Sequence, residues 1–166
     1  MLKIKEKRPD AIFEAFSNSA PYYMTYSGCV AGNTNAGKDN LRPEYYEEFA
    51  HYLVDVCKHY KDVYGIEFKT LEPFNEPVTN YWGANGGQEG CHFDASSQVK
   101  FLKVLAPILK ESGLSTVISA SDETSVGQSV NTFKTYASSG VLPLVGQWNT
   151  HTYGGNNADR ARISHL

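Results

Sequence analysis

The stretch Leu71-Glu72-Pro73-Phe74-Asn75-Glu76-Pro77, followed by Tyr81 and Trp82, decides how this chain is read. The run before it, Ile66-Glu67-Phe68-Lys69-Thr70-Leu71, alternates apolar and polar residues as a strand does. Pro73 and Pro77 make continuation in a central strand unfavourable, because proline cannot donate to the ladder. Glu76 therefore stands at the C-terminal end of a strand, where a polar and aromatic loop begins. In α/β barrels the chemistry collects at that rim, where loops rather than core packing decide what each side chain does. Taken alone, Asn75-Glu76-Pro77 is short enough to be an ordinary solvated loop, so its meaning depends on its surroundings.

Upstream, Ala11-Ile12-Phe13-Glu14-Ala15-Phe16 reads as a short strand that runs into Ser17-Asn18-Ser19-Ala20-Pro21-Tyr22-Tyr23-Met24. Residues 26–40 carry the glycine and asparagine punctuation of a loop. Pro43 then opens a helix whose stripe is Tyr46, Phe49, Leu53, Val56 and Tyr60. Glu44, Glu47 and Glu48 crowd its first turns and Lys58 and Lys61 its last, as the helix dipole favours.

Downstream, Asp94 or Ser96 caps a second helix with the stripe Val99, Leu102, Ala106 and Leu109, ended by Gly113. Pro107 is expected to bend or shorten it. The next strand, Thr116 to Ala120, leads into Ser121-Asp122-Glu123, and a third helix carries Val126, Val130, Phe133 and Tyr136. The last strand, Val145 to Thr150, ends in His151 and Tyr153. Alternating strands and helices predict an α/β fold with a parallel sheet and right-handed crossovers. Each strand then delivers polar residues to one rim. A closed (β/α)₈ barrel takes about 250 residues and eight strands. With four strands in 166 residues, the chain is either a smaller open sheet or a piece of a barrel.

Composition narrows the partners. A formal charge of -3 gives no basic field for phosphate backbones, which argues against nucleic acid. Eleven tyrosines, several of them in Gly/Asn/Ser-rich stretches, suit stacking on sugar faces or edging the core. No apolar run reaches the roughly 20 residues of a membrane span. The charged start, Met1 to Pro9, lacks the apolar centre of a signal peptide. Cys29, Cys57 and Cys91 have no metal-ligand spacing; Cys57 belongs to a helix, whereas Cys29 and Cys91 lie in loops and could pair in an exported protein. His92 beside Cys91 has no ligand cluster of recognisable spacing, so neither metal nor cofactor is expected.

Four motifs in order carry a resemblance: Phe13 to Thr25 with Ser27-Gly28, Pro73 to Pro77, Gln88-Glu89-Gly90-Cys91, and His151-Thr152-Tyr153-Gly154. Together they resemble family 30 of the glycoside hydrolases, and most of all its endo-β-1,6-galactanase-like members, over nearly the whole span from Ile12 to Tyr153. The resemblance implies a retaining glycosidase with a TIM-barrel catalytic domain, of which residues 1–166 would supply about strands three to six. It makes Glu76 the acid/base and Asn75 the partner of the sugar hydroxyl beside the reacting carbon. Asn18, Ser19, Tyr22, Trp82, Glu123, His151 and Tyr153 fall among the expected substrate contacts. The nucleophile belongs to a later strand and is not expected in this chain.

Retaining hydrolysis needs two carboxyls about 5 to 5.5 Å apart, so Glu76 alone performs half of the chemistry. Glu72, Asp122 and Glu123 are nearby acids better suited to support than to attack. His151 and Tyr153 read equally as substrate contacts or structural hydrogen-bonders, and Trp148 equally as core. The resemblance implies a polysaccharide or oligosaccharide substrate and secretion of the full-length protein, with the isolated chain inactive and prone to self-associate through open sheet edges. The other reading is a non-catalytic carbohydrate-binding or interaction protein derived from this fold. A longer coding sequence on both sides would favour the enzyme; a genuine stop after Leu166 would favour the binder.

Overall fold

A computed structural model describes residues 1–154 and 157–163. Its four strands are β1 (Glu14–Phe16), β2 (Thr70–Glu72), β3 (Val117–Glu123) and β4 (Val145–Thr150). All neighbouring pairs are parallel, in the order β1-β2-β3-β4. Three long helices make the crossovers: α2 (Tyr46–Tyr64), α3 (Ala95–Glu111) and α4 (Val126–Ser138). Short helices α1 (Leu2–Lys7) and α5 (Asn157–Ile163) lie at either end of the described chain.

The strand order never reverses, so right-handed crossovers put α2, α3 and α4 on one face of the sheet. The core confirms this. Phe49 and Leu53 of α2, Phe101, Leu102 and Leu105 of α3 and Tyr136 of α4 share one buried cluster with Leu71, Ile118 and Ala120 of the strands. Residues of opposite parity turn to the other face, which is polar. There Thr70 and Gln147 both donate to Glu14 Oε1 at 2.9 Å, Gln147 donates to Asn149 Oδ1 at 3.0 Å, and Asn149 donates to Glu72 Oε2 at 3.3 Å. Glu72 Oε1, Ser119 Oγ and Ser121 Oγ are buried on this side without a hydrogen-bond partner among the described residues. A sheet wound in one direction, with helices outside and polar side chains inside, has the layering of a barrel wall.

Several expectations shift. The first strand is three residues long rather than six, and β2 begins at Thr70 and reaches Glu72. Strand β3 continues through Asp122 and Glu123, which the sequence placed beyond its end. Pro107 sits inside α3, which runs on to Glu111. Proline removes one N–H and crowds the carbonyl one turn back, and burial of Phe101, Leu102, Leu105 and Leu109 on both sides of it holds the helix together. The charged start, Leu2–Lys7, forms a helical turn and a half. Cys29 and Cys91 are not paired: the Cys29 thiol donates to Ala84 O and the Cys91 thiol to His92 O. Burial pushes the Cys57 thiol up to about 11 and that of Cys91 to about 12, so both are held as thiols.

Candidate active site

Glu76 is not the solvated loop glutamate its short motif allows, since it is 7% exposed. Its backbone adopts φ +46°, a left-handed conformation that costs a residue with a Cβ about 1 kcal/mol or more. Four hydrogen bonds hold it there. Its N–H donates to Asp122 O at 2.9 Å, and its carbonyl accepts from Trp82 Nε1 at 3.0 Å. Its carboxylate accepts from Tyr81 OH at 2.5 Å through Oε2, while Oε1 meets His151 Nδ1 at 2.8 Å. The ends of β2, β3 and β4 thus converge on one residue.

Asp122 stands behind the imidazole. Its Oδ2 lies 3.2 Å from His151 Nε2, and its φ of +55° is the only other left-handed value among described residues with a Cβ. Burial raises the Asp122 carboxyl above its ordinary range, the charge of Glu76 adds to this, and His151 opposes both. Burial and then the neighbouring Asp122 hold Glu72 well above the usual carboxylate range. Burial, together with the bond to Glu76, raises the Tyr81 phenol.

Of the expected contacts, Asn75 lies beside Glu76 and is 6% exposed. Tyr153 is 67% exposed and meets His151 edge-on at 5.5 Å. Asn18 and Ser19 line a small cavity between β1 and α2, and Tyr22 is exposed; no described hydrogen bond joins these three to Glu76.

Burial sets two of the expected sugar contacts apart. Trp82 is 5% exposed and packs on Gly90, where even a Cβ would come within 2.1 Å of the indole. The ring is committed to the loop and to the Glu76 carbonyl. Glu123 is wholly buried. Its Oε1 accepts from Thr132 at 2.7 Å and Gln98 at 3.3 Å, and its Oε2 from the Val78 N–H at 3.2 Å. It anchors the loop that carries Glu76. Tyr81, quoted with the deciding stretch but given no contact there, touches Glu76, and Asp122, read as a supporting acid, touches His151.

Asp39, His92 and Asp94 bring ligand atoms within 4.8 Å of one another. Internal bonds already engage them: Asp94 N–H donates to Asp39 Oδ1 at 2.6 Å, His92 Nδ1 meets Thr79 O, and His92 Nε2 lies 3.2 Å from Asp94 Oδ1. The cluster ties the loop before α2 to the N-terminus of α3.

Residues 1–157 match the model of O-glycosyl hydrolase family 30. The chain is 36% identical over 150 residues to an endo-β-1,6-galactanase of Hypocrea rufa, covering 89% of this chain and 31% of that one. It is 30% identical over 190 residues to an exo-β-1,6-galactobiohydrolase of Bifidobacterium longum subsp. longum, covering 90% and 12%. The chain therefore spans about a third or less of the curated relatives it matches. Among solved structures, the catalytic domain of xylanase C from Talaromyces cellulolyticus superposes with a TM-score of 0.78 at 21% identity, over 93% of this chain and 35% of that one, and shows the fold. A conserved exported protein of Bacteroides fragilis gives 0.68 at 28% identity, over 75% and 25%.

Proposed function

The chain belongs to O-glycosyl hydrolase family 30, and from that premise we propose that it is the acid/base-bearing arc of a TIM-barrel retaining hydrolase that cleaves β-1,6-galactan. The observation that carries the proposal is Glu76 itself, buried at the C-terminal rim next to Asn75 and gripped by Tyr81 and His151. A carboxyl so held delivers a proton along a fixed direction, and fixed geometry is what general acid catalysis requires. In this reading Glu76 protonates the leaving oxygen and later takes a proton from the water that releases the sugar. Asn75 bonds the hydroxyl next to the reacting carbon, and Asn18, Ser19, Tyr22 and Tyr153 supply sugar contacts along the rim. Galactan is favoured over other β-glycans by the two curated relatives. Secretion of the complete protein is favoured by its polysaccharide substrate and by the exported structural relative.

No described carboxylate serves as the nucleophile for Glu76. Asp122 is engaged by the His151 ring that also meets Glu76, Glu72 reaches Asn149 on the inner face, and Glu123 is enclosed by α3 and α4. The second carboxyl is assigned to the length by which the relatives exceed this chain. The 166-residue chain alone is therefore expected to release no oligosaccharide from β-1,6-galactan. Chromatography of the products after prolonged incubation checks this. Release that Glu76→Gln abolishes would show that an acid within the chain attacks, whereas tight galactan binding without turnover in a completed domain would favour a carbohydrate-binding protein.

The outer edges of β1 and β4 carry unpaired ladder groups in this proposal. Such edges pair with other chains unless covered. Sedimentation of the isolated chain at micromolar concentration is expected to show dimers or larger species, and a sharp monomer at every concentration would rule that out.

A further inference from the structure

Two acids at this rim share an uncommon backbone conformation and are joined both through the main chain and through one imidazole. Glu76 (φ +46°) donates its N–H to the carbonyl of Asp122 (φ +55°). The His151 ring spans their carboxyl groups, Nδ1 to Glu76 at 2.8 Å and Nε2 to Asp122 at 3.2 Å. His151 N–H in turn donates to Glu123 O at 2.8 Å, so the backbone on both sides of Asp122 helps to aim the ring. Two left-handed residues in one hydrogen-bonded pair are costly for folding alone, and such strain persists where the surroundings over-determine it.

We propose that Asp122 is a positioning residue for the acid/base: it acts through His151, holding the imidazole in the orientation and tautomer that let Glu76 carry its proton toward the leaving group. This rests on Glu76 being the acid/base and goes beyond it by assigning work to a residue that meets no substrate. The chemistry follows from the two ring nitrogens. An ionised Asp122 accepts the Nε2–H, which leaves the Nδ1 lone pair facing Glu76 Oε1. A lone pair there accepts from a protonated Glu76 and so favours the acid form. Without Asp122 the ring is free to place its proton on Nδ1, donate to Glu76, and favour the carboxylate. The same fixed-orienter logic operates in hydrolytic triads, where a buried aspartate selects the histidine tautomer. The groups that face this trio are Tyr81 on Glu76, Tyr153 edge-on to His151, and Glu72 of β2, which feels the charge of Asp122. Thr124 Oγ1 lies 3.2 Å from Tyr81 OH and closes the set.

Asp122→Gly removes the carboxylate while accepting the left-handed backbone, and Asp122→Asn keeps an acceptor and also tolerates it. The first readout needs no activity. In the isolated chain, nitrogen-15 NMR is expected to find the His151 proton on Nε2 and hydrogen-bonded, retained in Asp122→Asn and lost in Asp122→Gly. The second uses a completed catalytic domain, meaning this chain joined to the segments by which its relatives exceed it. There Asp122→Gly is expected to lower kcat on galactan on the order of 10²-fold, the scale of a misplaced catalytic group, with KM little changed. Asp122→Asn should recover part of the loss, and an activated aryl glycoside should be much less affected. An unchanged Nε2 signal in a folded Asp122→Gly chain, or equal losses on both substrates, overturns the role of Asp122. If Glu76→Ala also shows no dependence on leaving group, the acid/base assignment itself fails; if that dependence stands, only the Asp122 proposal does.

Discussion

In a completed catalytic domain, Glu76→Ala is expected to reduce galactan cleavage by about 10² to 10⁴-fold, the range that a positioned general acid contributes. The size of the loss follows from the leaving group. A sugar alkoxide departs poorly unless protonated as the bond breaks, and the residue replaced is the one held at the rim by Tyr81 and His151. An aryl glycoside whose phenol is a good leaving group needs little protonation, so its glycosylation step should be largely spared. The second half reaction then lacks its base, so the glycosyl-enzyme should accumulate and azide should accelerate its release by attacking without a proton transfer. Steady-state kinetics on galactan and on an activated aryl glycoside, with and without azide, check the prediction. Equal losses on both substrates with no azide effect would mean that Glu76 has another role.

Glu76→Gln makes a useful companion. Glutamine keeps the volume and one acceptor oxygen for Tyr81 or His151 and gives up only the transferable proton. A similar loss on galactan in both variants assigns the effect to the proton and not to collapse of the loop.

Much of the architecture was legible because periodicity reports burial. The stripe from Tyr46 to Tyr60 marks α2, although Val56 and Tyr60 prove only partly covered, and Val145 to Thr150 is β4 to the residue. Glu76 was legible through the two prolines, which fix where the strand must stop. What the sequence could not convey was which rim acids look outward. Asp122 and Glu123 are neighbours in one strand, but an irregularity between Ser121 and Glu123 and the left-handed backbone of Asp122 break the alternation that Ile118 and Ala120 set, so Glu123 turns to α3 and α4 and Asp122 to His151. Neither break has a mark in the sequence. Tyr81 and Trp82 exchange roles for a similar reason. The tryptophan is drawn under the loop by the space that Gly90 leaves open, and the smaller, hydroxyl-bearing tyrosine is left to reach Glu76.

Glu123→Ala is expected to destabilise the chain by at least about 2 kcal/mol, the cost of leaving two or three buried donors short of an acceptor at roughly 1 to 3 kcal/mol each. Those donors are the Val78 N–H, Gln98 Nε2 and Thr132 Oγ1, and they come from the catalytic loop, α3 and α4. Gln98 keeps Phe93 O as an acceptor at 3.1 Å and is held on its far side by Tyr136 OH at 2.7 Å, so it loses one of its two acceptors, whereas Val78 N–H and Thr132 Oγ1 lose theirs outright. Urea unfolding checks the value, and a loss below about 1 kcal/mol with an unchanged slope would show that the network relaxes without Glu123. The same residue sets a pH dependence. Burial raises its folded pKa above the ordinary value near 4.5, and burial does the same to Glu72 and Asp122. The folded state then keeps protons that the unfolded chain has lost, so their contribution is full below about pH 4.5 and is lost as pH rises through the folded values. Glu67 runs the other way: Ser115 N–H and Lys61 pull it down to about 2, and its contribution is lost as pH falls toward that value. Stability is therefore expected to peak in the mildly acid range, and Glu123→Gln, though weaker at every pH because its amide meets donors, should fall off less steeply on the alkaline side. A slope there identical to that of the unaltered chain would mean that Glu123 is already ionised in the fold at mildly acid pH, held by its three donors as a carboxylate.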